Sequence, residues 1–245
     1  MKTGVILYSH LSNESARSVA EWYATGLRER GHKDVRVAYH KGNPGIEETL
    51  RGMNVHGMNN TFVVIPLLLS EGDLSTWVLP KKMAMPDNSC SYTYLTGMHI
   101  AIRFSTAIGE SDALSETVLK RVKKKGAHKD DGILLVSKGS RLSMNVKTLN
   151  RIAGYVEGHG FGNVSLAVLD GEGPSIASSI GSLMEKDVKR LIIVPLFLTQ
   201  CRSVTETIPS LVRDSCHLIP VLFADVIGTD ELILDDMDKK IPEGW

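Results

Sequence analysis

Short apolar runs alternate along this chain with longer segments of mixed polarity. In the first half, four runs are typical of strands in a parallel sheet, most of them almost wholly apolar. We predict these strands at residues 4–8, 35–39, 61–69 and 98–104. The sequence also predicts helices over residues 13–30, 44–51 and 111–124, and a short helix or extended turn over residues 74–80.

Local signals mark the ends of the first two helices. Ser12 or Asn13 can cap the first helix through a side-chain oxygen, and Gly31 can end it. Pro44 suits the first turn of the second helix. Because strands and helices alternate, we predict an α/β fold with a parallel sheet.

The second half of the chain repeats the first. The segment GVILYSHLSN at residues 4–13 corresponds to GILLVSKGSR, which begins 128 residues later. The segment VVIPLLL at residues 63–69 corresponds to IIVPLFL, which begins 129 residues later. Matches in the same order at a nearly constant offset indicate a duplicated domain, since the period is too long for a solenoid.

We therefore predict two tandem domains, at residues 1–126 and 131–245. The boundary falls in the charged stretch KKKGAHKDD at residues 123–131, which is typical of a solvated linker. The first domain carries about ten extra residues within 81–97, because the offset between the two halves drops after this segment.

Composition narrows the class of protein. Lys and Arg together number 28, as do Asp and Glu, so the formal net charge is zero, which argues against nucleic-acid and polybasic membrane-surface proteins. The three cysteines have no paired spacing, which argues against a disulfide framework or a structural zinc site. No signal peptide or membrane-spanning run is evident, so we expect a cytoplasmic protein with no membrane partner.

Ligands of parallel α/β sheets bind beyond the carboxyl ends of the strands. In this chain, His10 and the segment 70–73 lie at that edge of the first predicted sheet. Lys138 and the segment 199–202 lie at the same edge of the second. We expect the two halves to face each other and to enclose a cleft there.

The repeated motifs resemble the class II chelatases of tetrapyrrole biosynthesis, which insert cobalt, nickel or iron into sirohydrochlorin. The resemblance rests on a strand that ends in Ser9 and His10, then Ser12, then the run VIPLLL, and then Gly72. It covers both halves and is similar to the fused, two-domain form. It implies two flavodoxin-like domains around a cleft that holds a planar tetrapyrrole. A monomer and a homodimer are both compatible with it.

The family pattern has two histidines, of which the first half of this chain keeps one. His10 matches the first position, whereas the second falls at Leu74. In the second half the two positions fall at Lys138 and Ser203. If the protein inserts a metal, His10 must act with a substitute.

We expect the catalytic carboxylates Glu71 and Asp73, which flank the lost position, to be that substitute, with His99 as another candidate. His10 is the expected metal ligand and proton acceptor, because a neutral imidazole can take either role near neutral pH. No cofactor is expected to stay bound, and the divalent metal is a substrate.

The tetrapyrrole of this family carries carboxylates on its rim, which hydroxyls and cations can bind. The residues expected to bind the substrate in this way are Ser9, Ser12, Ser70, Lys138, Ser140 and Arg202. Helix capping is an alternative role for the serines, and solvent exposure for the cations.

The leading hypothesis is therefore insertion of cobalt, nickel or ferrous iron into a sirohydrochlorin-type tetrapyrrole. A second is a degenerate chelatase that binds a tetrapyrrole or a protein partner without turnover, which the missing histidines favour. A third is a duplicated fold that binds an unrelated small anion.

Overall fold

The computed structural model describes residues 3–53, 61–83, 90–95, 98–139 and 144–242. The nine strands in these residues are β1 (Thr3–Leu11), β2 (Val35–Lys41), β3 (Thr61–Pro66), β4 (Cys90–Leu95), β5 (Met98–Phe104), β6 (Gly132–Ser137), β7 (Val164–Val168), β8 (Leu191–Leu196) and β9 (Val221–Phe223). The eight α-helices are α1 (Glu14–Glu29), α2 (Ile46–Met53), α3 (Leu79–Lys82), α4 (Asp112–Lys124), α5 (Met144–Gly158), α6 (Ile176–Met184), α7 (Ile208–Ser215) and α8 (Glu231–Lys239).

The strands form two sheets of the same type. The first has the order β2-β1-β3-β5-β4 and the second β7-β6-β8-β9. Apart from β4, all neighbouring strands are parallel, and each sheet has the 2-1-3-4 order of the flavodoxin-like fold. The prediction of two flavodoxin-like α/β repeats with parallel sheets is confirmed.

The first sheet departs from the prediction at its edge. β4 lies within the extra segment 81–97 and pairs antiparallel with β5, from Cys90 opposite Arg103 to Leu95 opposite Met98. The extra residues thus add a fifth strand to the first sheet, whereas β9 is the last strand of the second.

The chain forms two compact units whose limits differ from those of the sequence repeat. The first unit contains Met1–Glu110 and Glu231–Trp245, and the second contains Ser111–Asp230. The last helix of the chain, α8, therefore belongs to the first unit, and α4 to the second. The predicted domain limits, 1–126 and 131–245, follow the repeat along the chain instead.

Ion pairs hold α8 within the first unit. Arg30 pairs with Asp235 at 2.5 Å and with Glu231 at 3.2 Å, and the His32 imidazole lies 2.6 Å from the Asp238 carboxylate.

In the second unit, Asp131 ends the stretch that was predicted to be a solvated linker. Its carboxylate is buried and accepts two hydrogen bonds from Arg190, which corrects that prediction at this residue.

Apolar strands and helix caps form the framework of each unit. The side chains of β3 and β8 are buried along their whole length, as expected for central parallel strands. The Asn13 side chain accepts a hydrogen bond from the Ala16 amide at 2.9 Å, which confirms one of the two predicted caps of α1. No α-helix in the described part of the chain is long and apolar enough to cross a membrane.

The loops that follow β1 and β2 meet at a glycine. Gly42 has a φ of +145°, and a Cβ atom there would overlap the Ser12 side chain. The Ser12 hydroxyl donates to the Lys41 carbonyl at 2.9 Å. Arg17 donates to the carbonyls of Ser12 and Asn43, so it ties the same two loops together.

We expect Gly42→Ala to lower the free energy of unfolding by about 1–3 kcal/mol, because the new Cβ adds backbone strain and meets Ser12. Denaturant unfolding followed by circular dichroism measures this change. Gly45→Ala is the matched control, since a Cβ at Gly45 meets nothing within 4 Å. Equal losses of stability in the two variants would contradict the prediction.

Candidate functional site

Two histidines lie side by side at the carboxyl ends of β1 and β2. The flanking pairs Ser9–Tyr39 and Leu11–Lys41 are in parallel register, which places His10 level with His40. The two imidazole ring centroids are 5.6 Å apart and the ring planes are inclined by 35°. Both side chains are partly exposed, so they are accessible from the edge of the sheet where ligands bind.

The spacing of the two rings fits a shared metal ion. A metal–nitrogen bond of about 2.1 Å places an imidazole centroid about 3.2 Å from the ion. Two such ligands at an angle of about 120° have centroids about 5.5 Å apart. In the described residues, no group of three or more His, Cys, Asp or Glu side chains could hold a metal ion.

A buried tyrosine contacts the second imidazole. The Tyr8 hydroxyl lies 3.1 Å from Nδ1 of His40, and Tyr8 is fully buried. Burial raises the pKa of Tyr8 to about 12, so the phenol stays protonated at neutral pH. Tyr8 is therefore a neutral hydrogen-bond partner of His40.

The surroundings of His40 favour its neutral form. Burial, followed by the positive charges of Lys82 and Lys41, lowers the pKa of this imidazole. Lys82 belongs to α3, and Lys41 is the last residue of β2. A lowered pKa leaves the ring with an available lone pair at neutral pH, as a metal ligand requires.

Two of the predicted serines lie beside this pair, although their hydroxyls are engaged. Ser9 is buried, and its hydroxyl donates to the Leu11 carbonyl at 2.9 Å. Ser12 donates to Lys41, as described above. The Ser12 bond therefore joins the two loops, whereas the Ser9 bond stays within the end of β1.

The carboxylates that were expected to replace the second histidine lie in the loop after β3. The Glu71 carboxylate accepts a hydrogen bond of 2.7 Å from the Ala107 amide and so braces the loop after β5. Asp73 is exposed, just before a π-helical segment at Leu74–Val78. Leu74 itself packs against the apolar core of the first unit.

The two remaining predicted site residues of the first unit, Ser70 and His99, lie on different elements. Ser70 lies partly exposed in the loop after β3. His99 is the second residue of β5, at the amino end of the strand, and its side chain lies outside the described part of the structure.

Lys138 and Arg202 belong to the second unit. Lys138 is exposed and directly follows β6. Arg202 is also exposed and forms an ion pair of 2.8 Å with Glu206. Ser140 lies outside the described residues.

Comparison with known proteins gives the family. A sequence model of the CbiX family matches residues 4–125 and matches again at residues 132–243. The chain belongs to the CbiX family. The resemblance to class II chelatases that the motifs indicated is thereby confirmed.

Individual CbiX relatives extend this result. The sirohydrochlorin cobaltochelatase of Methanosarcina acetivorans is 28% identical over 123 residues, which is 46% of this chain and 95% of that protein. A protein of Halobacterium salinarum named "Probable sirohydrochlorin cobaltochelatase" is 25% identical over 82% of this chain and 72% of its own length. The structure of SirB from Bacillus subtilis with Fe3+ superposes with a TM-score of 0.80 at 18% identity, over 98% of this chain and 94% of that one.

The two CbiX repeats carry different residues at the same places. The pair Ser137–Val168 of β6 and β7 corresponds to Ser9–Tyr39 of β1 and β2. One residue further along, Lys138 and Leu169 stand where the first repeat has His10 and His40. The paired imidazoles are thus a feature of the first unit alone.

His40 is the site residue that the sequence reasoning missed. The signal was present, because His40 directly follows the predicted strand 35–39 as His10 follows the predicted strand 4–8. In a parallel sheet of the 2-1-3-4 order, these two strands are neighbours. Ligands bind beyond the carboxyl ends of such strands. The same rule, applied to both strands, predicts that His10 and His40 lie side by side at the ligand-binding edge.

We expect Lys82→Gln to raise the pKa of His40, because one of the positive charges that destabilise the imidazolium is removed. A pH titration of the ring signals by NMR measures this pKa. Lys33→Gln is the control, since Lys33 is exposed and precedes β2 at the opposite end of the strand. An unchanged or lower pKa in Lys82→Gln would show that the charge of Lys82 does not act on His40.

Proposed function

We propose that this protein inserts a divalent metal, namely cobalt, nickel or ferrous iron, into a sirohydrochlorin-type tetrapyrrole. The observation that carries the proposal is the pair of imidazoles of His10 and His40, 5.6 Å apart at the ligand-binding edge of the first sheet. Membership of the CbiX family and the names of the sirohydrochlorin chelatases that match the chain support the substrate class.

The pair satisfies both chemical requirements of metal insertion. A divalent ion must be held by neutral ligands before transfer, and two pyrrole N–H protons must leave the macrocycle before its nitrogens can bind the ion. As the ion moves from the two imidazoles to the ring, each imidazole regains a lone pair that can accept one proton. The number of imidazoles that release the metal therefore equals the number of pyrrole protons that must be accepted.

The small number of ligands also suits a metal that has to be passed on. Structural metal sites are usually closed by four protein ligands, whereas catalytic sites keep positions open. Two imidazoles leave several coordination positions for water and for pyrrole nitrogens. The ion is thus held near the macrocycle without being enclosed.

Other residues are proposed to assist. Asp73, which is exposed, and Glu71, which also braces Ala107, are proposed to aid proton removal. The residues proposed to bind the carboxylates on the macrocycle rim are Ser9, Ser12, Ser70, Lys138, Ser140 and Arg202.

A second candidate function is binding of a tetrapyrrole or a protein partner without turnover. The observation in its favour is Leu74, an apolar side chain packed on the core at the position where the family pattern has its second histidine. In this case the His10–His40 pair would be retained without catalytic use.

A spectrophotometric assay of the purified protein with sirohydrochlorin and cobalt, nickel or ferrous iron tests these functions. Metal insertion faster than the protein-free reaction supports the chelatase. A spectral change on binding without acceleration supports the second candidate. No spectral change with any metal would overturn metal insertion and tetrapyrrole binding alike, and would favour a protein partner or a different anionic ligand.

We expect His10→Ala and His40→Ala each to lower the rate of metal insertion by about 10²-fold or more, because each removes a ligand and a proton acceptor. Initial rates at a saturating tetrapyrrole concentration measure the loss. His217→Ala is the control, as His217 is an exposed residue that follows α7 in the second unit. Either site variant inserting metal at the wild-type rate, with its fold intact, would remove that histidine from the mechanism.

A further inference from the structure

We infer that Tyr8 is a positioning residue that holds the His40 imidazole in the orientation in which its Nε2 atom binds the metal. The inference rests on the proposed function and adds to it the partner that orients one ligand. Metal-bound histidines generally donate their other ring N–H to a second group, which fixes the tautomer and the ring plane. Tyr8 is placed to be that group.

The first argument is the geometry of a single hydrogen bond. The Tyr8 side chain has no solvent-accessible surface, and a buried hydroxyl without a partner carries a desolvation penalty. Its partner is Nδ1 of His40, at 3.1 Å. With Nδ1 engaged, Nε2 is the ring nitrogen left to bind the metal.

The second argument is the chemistry of the phenol. A hydroxyl can donate or accept, so the same bond survives both tautomers of the imidazole. Before metal binding, the phenol can donate to Nδ1. When Nε2 binds an ion, the imidazole proton lies on Nδ1 and is donated to the phenol oxygen. A purely accepting partner, such as a backbone carbonyl, would fix only one tautomer.

The third argument is that β1 and β2 place the side chains of Tyr8, His10 and His40 on the same face of the sheet. Tyr8 is paired with Ala38 in the parallel register of β1 and β2, and side chains alternate between the faces of a strand. Tyr8, His10, Ala38 and His40 therefore share one face of the sheet. Ala38, directly opposite Tyr8, adds only a methyl group to this face.

The second repeat provides an internal comparison. Val136 of β6 stands where β1 has Tyr8, and it is as fully buried. Leu169 stands where the first repeat has His40. The same strand is thus built without a hydroxyl where no imidazole needs one, so the fold alone does not require the phenol of Tyr8.

The test is Tyr8→Phe, which keeps the ring in the core and removes the hydroxyl. We expect the Kd for Co2+ alone, measured by isothermal titration calorimetry, to rise about 10–100-fold. The KM for the metal should rise in the insertion assay while the KM for sirohydrochlorin stays unchanged. A merely structural role would lower the unfolding temperature without this split between the two KM values.

The controls separate this inference from the proposed function. Tyr39→Phe removes the hydroxyl of a buried tyrosine on the opposite face of β2 and should leave the Kd for Co2+ unchanged. If His40→Ala weakens Co2+ binding but Tyr8→Phe does not, the role of Tyr8 is overturned and the metal site stands. If neither variant weakens it, the metal site itself is wrong.

A measurement on the wild-type protein tests the inference without any variant. With Zn2+ as a diamagnetic probe, 15N NMR of the His40 ring should show a metal-bound Nε2 and a protonated Nδ1. Binding of Zn2+ through Nδ1 would overturn the inference, since that atom could not then bond to Tyr8.

Discussion

The parallel pairing of β1 with β2 is the constraint on which the candidate site depends. Its register sets His10 level with His40 and places Tyr8 on the same face of the sheet. A shift of one residue along either strand would turn one imidazole to the opposite face. The side chains from Val5 to Tyr8 are fully buried, so β1 is covered on both of its faces.

Duplication has produced two copies of one scaffold with different chemistry at the same edge. Gly42, which follows β2, and Gly171, at the corresponding place after β7, both have positive φ, +145° and +90°. At the ends of the strands themselves, imidazoles in one repeat are replaced by Lys138 and Leu169 in the other. The glycine with positive φ is therefore present in both repeats, whereas the paired imidazoles are present in the first.

Much of the fold could be predicted from local signals, and the candidate site only in part. Apolar runs located the central strands, and Asn13 marked the start of α1, because these signals depend on neighbours in sequence. The role of Glu71 in bracing Ala107 depends on a contact 36 residues away, and the assignment of α8 to the first unit depends on pairs such as Arg30–Asp235. No local pattern encodes such contacts, which arise only when the elements pack.

The absence of the second family histidine changes how the site has to be interpreted. At Leu74 an apolar side chain contributes to the core, so the segment after β3 has exchanged a polar role for packing. A lone imidazole at His10 would hold a divalent ion weakly and could accept one of the two pyrrole protons. His40 adds a second imidazole on a neighbouring strand, and burial together with the nearby lysines lowers its pKa. Under the proposed function, His40 would supply from β2 the second ligand that the family pattern takes from the loop after β3.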